Sequence, residues 1–336
     1  MFSQSPIVCN VPMDEPGRHI GSLDLMTSDN SHYYSVIPIP IAVFNNGEGP
    51  TVYVSAGTHG NEEQGQLVIR RLIADLNLSD IQGRLILIPS LNLPAARVSA
   101  RVSPLDDANL NRSFPGDARS GPTSAIAHFL TNVLFPICDA GMDLHSAGRE
   151  AGMPALTYLG LNPDKELTKR SYELLKAFGF PHAMICEDGG DGMDDSAHAL
   201  KIPFIGAEFK GMSSADPAPL KQGMDAVLRF LVHTGVLKDP GNLPPPAETV
   251  LLDHRVLTSV RAPYEGYFWP AHEMLDEVKA GDVAGMLYSF DEIGREPTAL
   301  TYPASGVVTM RRTHARCAAG DFVVSTAPVI TSDDIL

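Results

Sequence analysis

The sequence predicts an α/β protein in which a sheet is flanked by helices and followed by a smaller β domain. From about residue 50 to residue 237, short β-rich apolar runs alternate with longer segments of helical periodicity, which is typical of crossover units on a largely parallel sheet. Beyond a Pro-rich segment, the chain is rich in strands and turns. We therefore predict an α/β domain over residues 1–238, a linker over 239–248 and a C-terminal β domain over 249–336.

The composition narrows the classes of partner. The 336 residues carry 25 Lys plus Arg against 40 Asp plus Glu, a net charge of −15, and 44% of them are hydrophobic. That apolar content fills a sizeable core and argues against wholesale disorder. Without a basic footprint, nucleic acids and anionic membranes are poor partners, so small molecules are favoured. The sequence shows no secretory leader and no run of about 18 apolar residues, which predicts a cytoplasmic protein.

The first crossover unit consists of two strand candidates and the helix between them. VYVSAG (52–57) and LILIPSLN (85–92) have the composition of buried strands. Between them, apolar side chains recur at three- and four-residue steps, as one buried helix face requires; they are Val68, Ile69, Leu72, Ile73 and Leu76. The same reasoning predicts helices over 123–137, 165–178 and 219–237, and strands over 142–147, 183–188 and 203–209.

The C-terminal part contains an imperfect internal repeat. APYEGYF (262–268) is followed by AGD (280–282), and YPASGVV (302–308) is followed by AGD (319–321). Two similar β units suggest a small pseudo-symmetric domain, which resembles the barrel-sandwich hybrid of biotinyl and lipoyl domains. No Lys occupies the tight turn that is modified in those domains. We therefore expect a lid or an oligomerisation domain, compatible with a homo-oligomer, rather than a carrier.

The segment SAGTHGNEEQG presents His59 and Glu62 where a strand ends in glycines and a helix begins. A spacing of three residues at a helix start places the imidazole and the carboxylate on one side, where they can share a metal ion. The alternative is a helix cap and a surface charge.

In MDLHSAG, His145 stands at the carboxyl end of a predicted strand, the edge of an open α/β sheet at which ligands bind. His59 and Glu62 lie just past another strand end, so the three side chains are expected to converge. A His/Glu/His set with an open fourth position is the usual composition of a catalytic zinc site. Asp143, on the same side of the strand as His145, would orient the imidazole or else be a plain core-edge carboxylate.

Two further groups of polar residues are candidates for substrate contact. In DDANLNRSFPGD (106–117), Asn111 and Arg112 suit bidentate binding of a carboxylate, or else form a salt-bridged loop. Upstream, Arg97 or Arg101 would supply a cation near a developing oxyanion.

Glu208, in IGAEFKG, lies in an otherwise apolar strand, where a carboxylate is costly unless it is partnered or functional. Beside a metal it would serve as a general base and then as a general acid to a leaving amine. The alternative is a buried, salt-bridged Glu.

Taken in this order, GTHGNE, NLNRSFPG, DLHSAG and the Glu of an apolar strand resemble the succinylglutamate desuccinylase/aspartoacylase family, a branch of the zinc carboxypeptidase-like hydrolases. The resemblance covers roughly residues 35–237 and implies a zinc-carboxypeptidase-like mixed sheet and one Zn²⁺ per chain. The zinc ligands it implies are His59, Glu62 and His145. It also implies that Glu208 is the catalytic acid and base and that Asn111 and Arg112 bind the substrate carboxylate.

Within that family, HGNE and RVSPLDDANLNRSFPG look most similar to N-acetyl-2,4-diaminobutyrate deacetylases. We therefore predict a zinc-dependent deacylase that hydrolyses the amide C–N bond of a small N-acyl amino acid, with N-acetyl-2,4-diaminobutyrate as the candidate. Seven residues ahead of Asn111, where the family commonly has Arg, the chain has Pro104, which leaves Arg101 as the nearest substitute. Lys210 stands where those deacetylases have glycines, so we expect it to alter the pocket.

Two other interpretations stay open. A metallocarboxypeptidase or an esterase would use the same site, although the C-terminal β domain, which narrows the site in the resembled family, disfavours long peptides. A non-catalytic metal-binding family member would have kept the fold and lost the chemistry, but all three ligand-type residues and Glu208 are present.

Overall fold

The structure, a computed structural model, describes residues 5–28, 30, 33–211 and 215–336. Within these residues the α-helices are α1 (Glu63–Asp75), α2 (Leu93–Arg97), α3 (Pro122–Phe129), α4 (Lys165–Phe178), α5 (Met193–Ala199) and α6 (Pro217–His233). The strands of the first 240 residues are β1 (Ile7–Cys9), β2 (Gly17–Thr27), β3 (Ser35–Asn46), β4 (Thr51–Ala56), β5 (Gly83–Ile88), β6 (Ala140–Ser146), β7 (Ala151–Gly152), β8 (Leu156–Leu161), β9 (His182–Glu187) and β10 (Phe204–Phe209). The later strands are β11 (Val250–Asp253), β12 (Thr258–Arg261), β13 (Gly266–Pro270), β14 (Glu277–Val278), β15 (Val283–Ser289), β16 (Thr298–Thr301), β17 (Gly306–Arg312), β18 (Arg316–Cys317), β19 (Phe322–Ala327) and β20 (Val329–Ile330).

Eleven of the described strands form one large sheet, in the order β1-β2-β3-β5-β4-β6-β10-β8-β9-β11-β20. At its centre β5, β4, β6 and β10 are parallel neighbours. β8 runs antiparallel to β10, and β8, β9 and β11 are parallel to one another. The N-terminal strands β1, β2 and β3 pair in an antiparallel manner. The predicted mixed sheet is therefore confirmed.

Helices cover both faces of the large sheet because the central strands have no polar face. Every residue of β4 is buried, as expected of a parallel strand enclosed on both sides. On one face α1, α4 and α6 share an apolar core, to which they contribute Val68, Leu175 and Phe230. On the other face α3 and α5 pack with the N-terminal strands. α1 buries Val68, Ile69 and Leu72, as its periodicity predicted.

The remaining C-terminal strands form two smaller sheets around a separate apolar core. Their orders are β12-β19-β17-β14, with β7 also paired to β17, and β16-β15-β13-β18. The two copies of the sequence repeat adopt the same local backbone: Gly281 and Gly320 turn the chain with φ values of 90° and 88°, and Gly266 and Gly306 begin β13 and β17. The predicted smaller β domain is therefore confirmed.

The Pro-rich segment 239–248 contains no helix or strand. β11, directly after it, still belongs to the large sheet through its pairing with β9, and the two smaller sheets follow. The domain limits at 238 and 249 stay a prediction. Among the described residues, no helix combines the length and apolarity needed to cross a membrane.

Candidate metal centre

His59 and Glu62 are carried by the turn that joins β4 to α1. Gly57 turns the chain just after β4 with a left-handed φ of 74°. Gly60 lies so close to α2 that a Cβ there would come within 2.1 Å of the Ala95 carbonyl carbon. The turn is thus held against α2, and in this geometry His59 Nδ1 lies 2.8 Å from Glu62 Oε1.

His145 joins this pair from the carboxyl end of β6. Because β4 and β6 are parallel neighbours, the turn after β4 and the end of β6 meet at the same edge of the sheet. His145 Nδ1 lies 2.9 Å from Glu62 Oε2. Ligand atoms of His59, Glu62 and His145 all lie within 4.8 Å of one another. The structure thus brings together the three residues that the sequence pattern predicted as metal ligands.

In both histidines Nδ1 contacts Glu62, and the other ring nitrogen, Nε2, has an acceptor of its own. His59 Nε2 lies 3.0 Å from Asn109 Oδ1, and His145 Nε2 lies 2.7 Å from Asp143 Oδ2. The Asp143 carboxylate is itself held by hydrogen bonds of 2.6 Å from two hydroxyls, those of Ser55 and Thr58. With the proton of each ring on Nε2, both Nδ1 atoms present a lone pair to the centre of the group.

This donor set fits a divalent metal ion. Two imidazole nitrogens and a carboxylate are the ligands of catalytic zinc sites, which keep a further position open. Burial raises the pKa of Glu62, but the charge and hydrogen bonds of His145 and His59 outweigh it and hold the pKa well below its usual range. Burial lowers the pKa of His145, yet Asp143 and Glu62 raise it well above the ordinary value, so a metal ion that binds Nδ1 would displace a proton from it. Glu62 therefore remains an anion, as a metal ligand must.

Glu208 lies beside this group on the neighbouring strand. β10 runs parallel to β6, and Glu208 pairs in register with His145. Glu208 Oε2 is buried and has no hydrogen-bond partner among the described residues. Burial and the charge of Glu62 raise the pKa of Glu208 to about 8, against the opposing effects of His145 and Arg101. A carboxyl group of this kind can take up a proton and return it.

Of the two arginines predicted near the oxyanion, Arg101 is the one at the centre. Its Nη1 lies 3.2 Å from Glu62 Oε1 and 3.3 Å from His59 Nδ1. Arg97, the last residue of α2, is exposed and is not among the described residues that line the adjoining cavity.

A cavity of about 440 Å³ opens beside the metal-ligand group and Glu208. Asn111 and Arg112 line it, together with Met310 and Phe322 from the C-terminal sheets. Asn111 Oδ1 accepts a hydrogen bond of 3.1 Å from the Met193 backbone N–H, which leaves the amide NH₂ of Asn111 for a ligand. The cavity thus offers an amide and a guanidinium together with apolar side chains.

Two neighbouring residues lie outside this cavity. Lys210 borders a separate cavity, and its carbonyl accepts a hydrogen bond of 2.9 Å from the side-chain amide of Gln64. The expectation that Lys210 alters the pocket stays a prediction, since Lys210 directly follows β10, the strand that carries Glu208. His198 is buried with its Nδ1 2.9 Å from Asp188 Oδ1 and is not among the described residues that line this cavity.

Asn109 and Asp194 also belong to the site, although the sequence pattern did not predict them. Asn109 belongs to the same polar segment as Asn111, but its contact with His59 depends on how that segment folds over the turn after β4. Asp194 is the second residue of α5 and lines the cavity. In the sequence it is one of three acidic residues in DGMDD, and nothing local distinguishes it.

A mixed sheet whose strand ends gather two histidines and two glutamates beside one cavity fits a metal-dependent hydrolase. Residues 48–234 match the family model described as the succinylglutamate desuccinylase/aspartoacylase catalytic domain. The chain is also 32% identical over 331 residues to the N-alpha-acetyl-L-2,4-diaminobutyric acid deacetylase of Halomonas elongata. That similarity covers 98% of this chain and 96% of the relative.

Solved structures share the whole fold. A succinylglutamate desuccinylase from Silicibacter sp. superposes with a TM-score of 0.91 at 28% identity, over 97% of this chain and 99% of that one. The product-bound ectoine utilization protein EutE from Ruegeria pomeroyi gives a TM-score of 0.90 at 28% identity, with the same two coverages.

The chain therefore belongs to the succinylglutamate desuccinylase/aspartoacylase family, as its four motifs predicted. The family and the relative from H. elongata support hydrolase activity on N-acyl amino acids, which is the predicted class of enzyme.

Proposed function

We propose that the protein is a zinc-dependent deacetylase that hydrolyses N-acetyl-2,4-diaminobutyrate to acetate and 2,4-diaminobutyrate. The convergence of His59, Glu62 and His145 beside Glu208 in one cavity carries this proposal. The similarity to the deacetylase from H. elongata over nearly the whole of both chains supports the choice of substrate.

His59, Glu62 and His145 would hold one Zn²⁺ per chain. When bound, the ion supplies a Lewis acid that polarises the acyl carbonyl and makes water more acidic. Asn109 and Asp143 act as positioning residues, because their oxygens bind Nε2 of each imidazole and so keep Nδ1 directed to the centre.

Glu208 moves the proton in this mechanism. Its carboxylate takes a proton from the attacking water as the new O–C bond forms at the acyl carbon. The same carboxyl then gives that proton to the amide nitrogen as the C–N bond breaks, so that the amine leaves in a neutral form. The position of Glu208 on β10, in register with His145, supports this role.

Asn111 and Arg112 bind the α-carboxylate of the substrate. The free amide NH₂ of Asn111 and the guanidinium of Arg112 offer several N–H donors to two carboxylate oxygens. Arg101 lies against Glu62 and His59, where its positive charge stabilises the oxyanion that develops on the acyl oxygen.

The test is amine release from a panel of N-acyl amino acids by the purified protein, with zinc and after chelation. The panel contains N-acetyl-2,4-diaminobutyrate, N-acetylaspartate, succinylglutamate and a set of dipeptides. We expect chelator-sensitive release, restored by added zinc, with the highest kcat/KM for N-acetyl-2,4-diaminobutyrate. Faster hydrolysis of dipeptides would instead make the protein a metallocarboxypeptidase, and release unaffected by chelation would contradict the metal dependence.

A further inference from the structure

Asp194 is a carboxylate in the cavity that the mechanism above does not use. Among the residues that the structure describes, five carboxylates line the cavity: Glu62, Asp143, Glu150, Asp194 and Glu208. Glu62 and Asp143 contact the histidines, Glu208 is the proton carrier, and Glu150 is exposed with its Oε2 3.5 Å from His314 Nε2. Among the described residues, no ion pair includes Asp194.

The acidic neighbours of Asp194 are satisfied by other groups. Asp188 pairs with the imidazole of His198 at 2.9 Å. Asp195 accepts hydrogen bonds from the backbone N–H groups of Gly189 and Gly192, at 2.6 Å and 2.9 Å. The two residues hold the loop that leads into α5, whereas Asp194 lines the cavity.

Asp194 also lies close to the predicted carboxylate binders. A Cβ built on Gly192 would lie 2.6 Å from Asp194 Oδ1 and 3.7 Å from Asn111 Oδ1, so both side chains border the same glycine. Asn111 is tied to the start of α5 through its bond with the Met193 N–H. An amino acid whose α-carboxylate is held at Asn111 therefore has its own side chain within reach of Asp194.

The surroundings of Asp194 favour a cation as its partner. Burial and the charge of Asp195 raise the pKa of Asp194 to about 6, against the opposing charge of His198, so a further cation beside this carboxylate is favourable. Tyr158 lines the cavity beside it, and an aromatic ring attracts an ammonium group. Met153, Met184 and Met310 add an apolar wall against which the methylenes of a short side chain can pack.

We propose that Asp194 binds the side-chain ammonium of the substrate and selects N-acyl amino acids that have a short cationic side chain. The inference rests on the proposed function and adds the residue that determines its specificity. The ammonium forms an ion pair with the Asp194 carboxylate, while Asn111 and Arg112 bind the negatively charged carboxylate of the same molecule.

The test compares two substrates that differ by one group. N-acetylnorvaline has a methyl group where N-acetyl-2,4-diaminobutyrate has its ammonium, so their ratio of kcat/KM isolates the charge. We expect the wild-type protein to favour the cationic substrate, and Asp194→Asn to reduce that ratio by about 30-fold or more, chiefly through KM. Glu150→Gln is the matched control, because it removes one exposed charge from the lining of the same cavity and should leave the ratio within about threefold.

A second readout does not depend on turnover. Calorimetric binding of 2,4-diaminobutyrate should weaken by a similar factor in Asp194→Asn, with circular dichroism to verify folding and Asp194→Ala as a second variant. An unchanged ratio, or equal losses in Asp194→Asn and Glu150→Gln, would overturn the role of Asp194 even where the wild type is an active deacetylase. If the wild type hydrolyses neither substrate, the proposed function fails, and the calorimetric comparison decides the role of Asp194 by itself.

Discussion

Glu208 and His145 lie directly beside each other on two parallel strands, β10 and β6. This relationship is set by the backbone hydrogen bonds of the sheet, and β4, which leads to His59 and Glu62, is the next strand along. The proposed proton carrier and the proposed metal ligands are therefore placed by three adjacent strands of one rigid sheet. Arg101, Asn111 and Arg112 come from the connection between β5 and β6, so contacts to the substrate are made by a separate segment.

Replacing Glu208 with Gln should separate chemistry from metal binding. The amide keeps the shape of the side chain but cannot carry the proton, so we expect kcat to fall by roughly 10²–10⁴-fold. Metal content, measured on the same preparation, should remain at one ion per chain because Glu208 is not among the three converging ligands. Glu187→Gln, at the exposed end of β9, is the control and should keep normal turnover. A Glu208→Gln enzyme within tenfold of the wild type would exclude this base.

Replacing Asp143 with Asn should weaken the metal site without removing a ligand. An amide offers an N–H to His145 Nε2 in place of an acceptor, which favours the wrong imidazole tautomer. We expect metal affinity to fall by about 10–100-fold, measured by competition with a chelator of known affinity. Asp139→Asn is the control, since Asp139 lies just before β6 and accepts a backbone hydrogen bond from Thr51. Equal affinities in the two variants would argue that Asp143 has no positioning role.

Replacing Gly60 with Ala should disturb both the fold and the metal site. The added Cβ would lie 2.1 Å from a backbone carbon of α2, so the turn that carries His59 and Glu62 has to move. We expect the free energy of unfolding, measured by urea denaturation with chelator present, to fall by about 1–3 kcal/mol. Zinc titration of the same variant should show weaker binding.

The control for that change is Gly294→Ala. A Cβ at Gly294 meets no atom within 4 Å, so stability and zinc affinity should both be unaltered. If Gly60→Ala behaved in the same way as this control, the close approach between the turn and α2 would not be what holds the ligands.

Much of the fold was predictable because apolar periodicity and strand length follow from burial on one or both faces. α4 has the bounds predicted for it, residues 165–178. α6 ends at His233 rather than at residue 237, because Gly235 takes a left-handed φ of 78° and closes the helix. The predicted helix over 123–137 begins as α3. After Phe129 it continues as a π-helix over Leu130–Leu134 and then as a 3₁₀-helix over Phe135–Ile137, in which Pro136 has no backbone N–H to donate.

The metal-ligand candidates were predictable for a related reason. HGNE and His145 both follow strands, and the ends of parallel strands meet at one edge, so convergence follows from topology. Asn109 and Asp194 were not predictable because their contacts join segments that are distant in sequence. The sequence did not decide between Arg101 and Arg97 because the choice depends on the path of the chain after α2. That path turns Arg101 toward Glu62 and leaves Arg97 exposed.

The buried pair of His198 and Asp188 predicts a pH dependence of stability away from the metal centre. Burial lowers the pKa of His198, but Asp188, and to a lesser extent Asp194, raise it above its ordinary value of 6.5. Burial raises the pKa of Asp188, while the hydrogen bond and charge of His198 hold it below 3.8. The stabilisation from His198 is therefore present below pH 6.5 and lost as the pH rises through its raised pKa. The stabilisation from Asp188 is present above pH 3.8 and is lost as the pH falls through the lowered pKa of this carboxyl group.

His198→Gln should accordingly cost most stability between pH 3.8 and pH 6.5, the window in which both partners are charged in the native protein. We expect the difference in the free energy of unfolding between the wild type and this variant to narrow toward alkaline pH. The measurement is urea denaturation of both proteins across a pH series, with chelator present. His182→Gln is the matched control with the opposite sign, because burial lowers the pKa of His182 and the native state then disfavours its protonated form. Relative to the wild type, that variant should gain stability as the pH falls below 6.5. If the His198→Gln curve ran parallel to that of the wild type from pH 5 to pH 9, the buried pair would contribute no charge interaction, and packing alone would explain the position of His198.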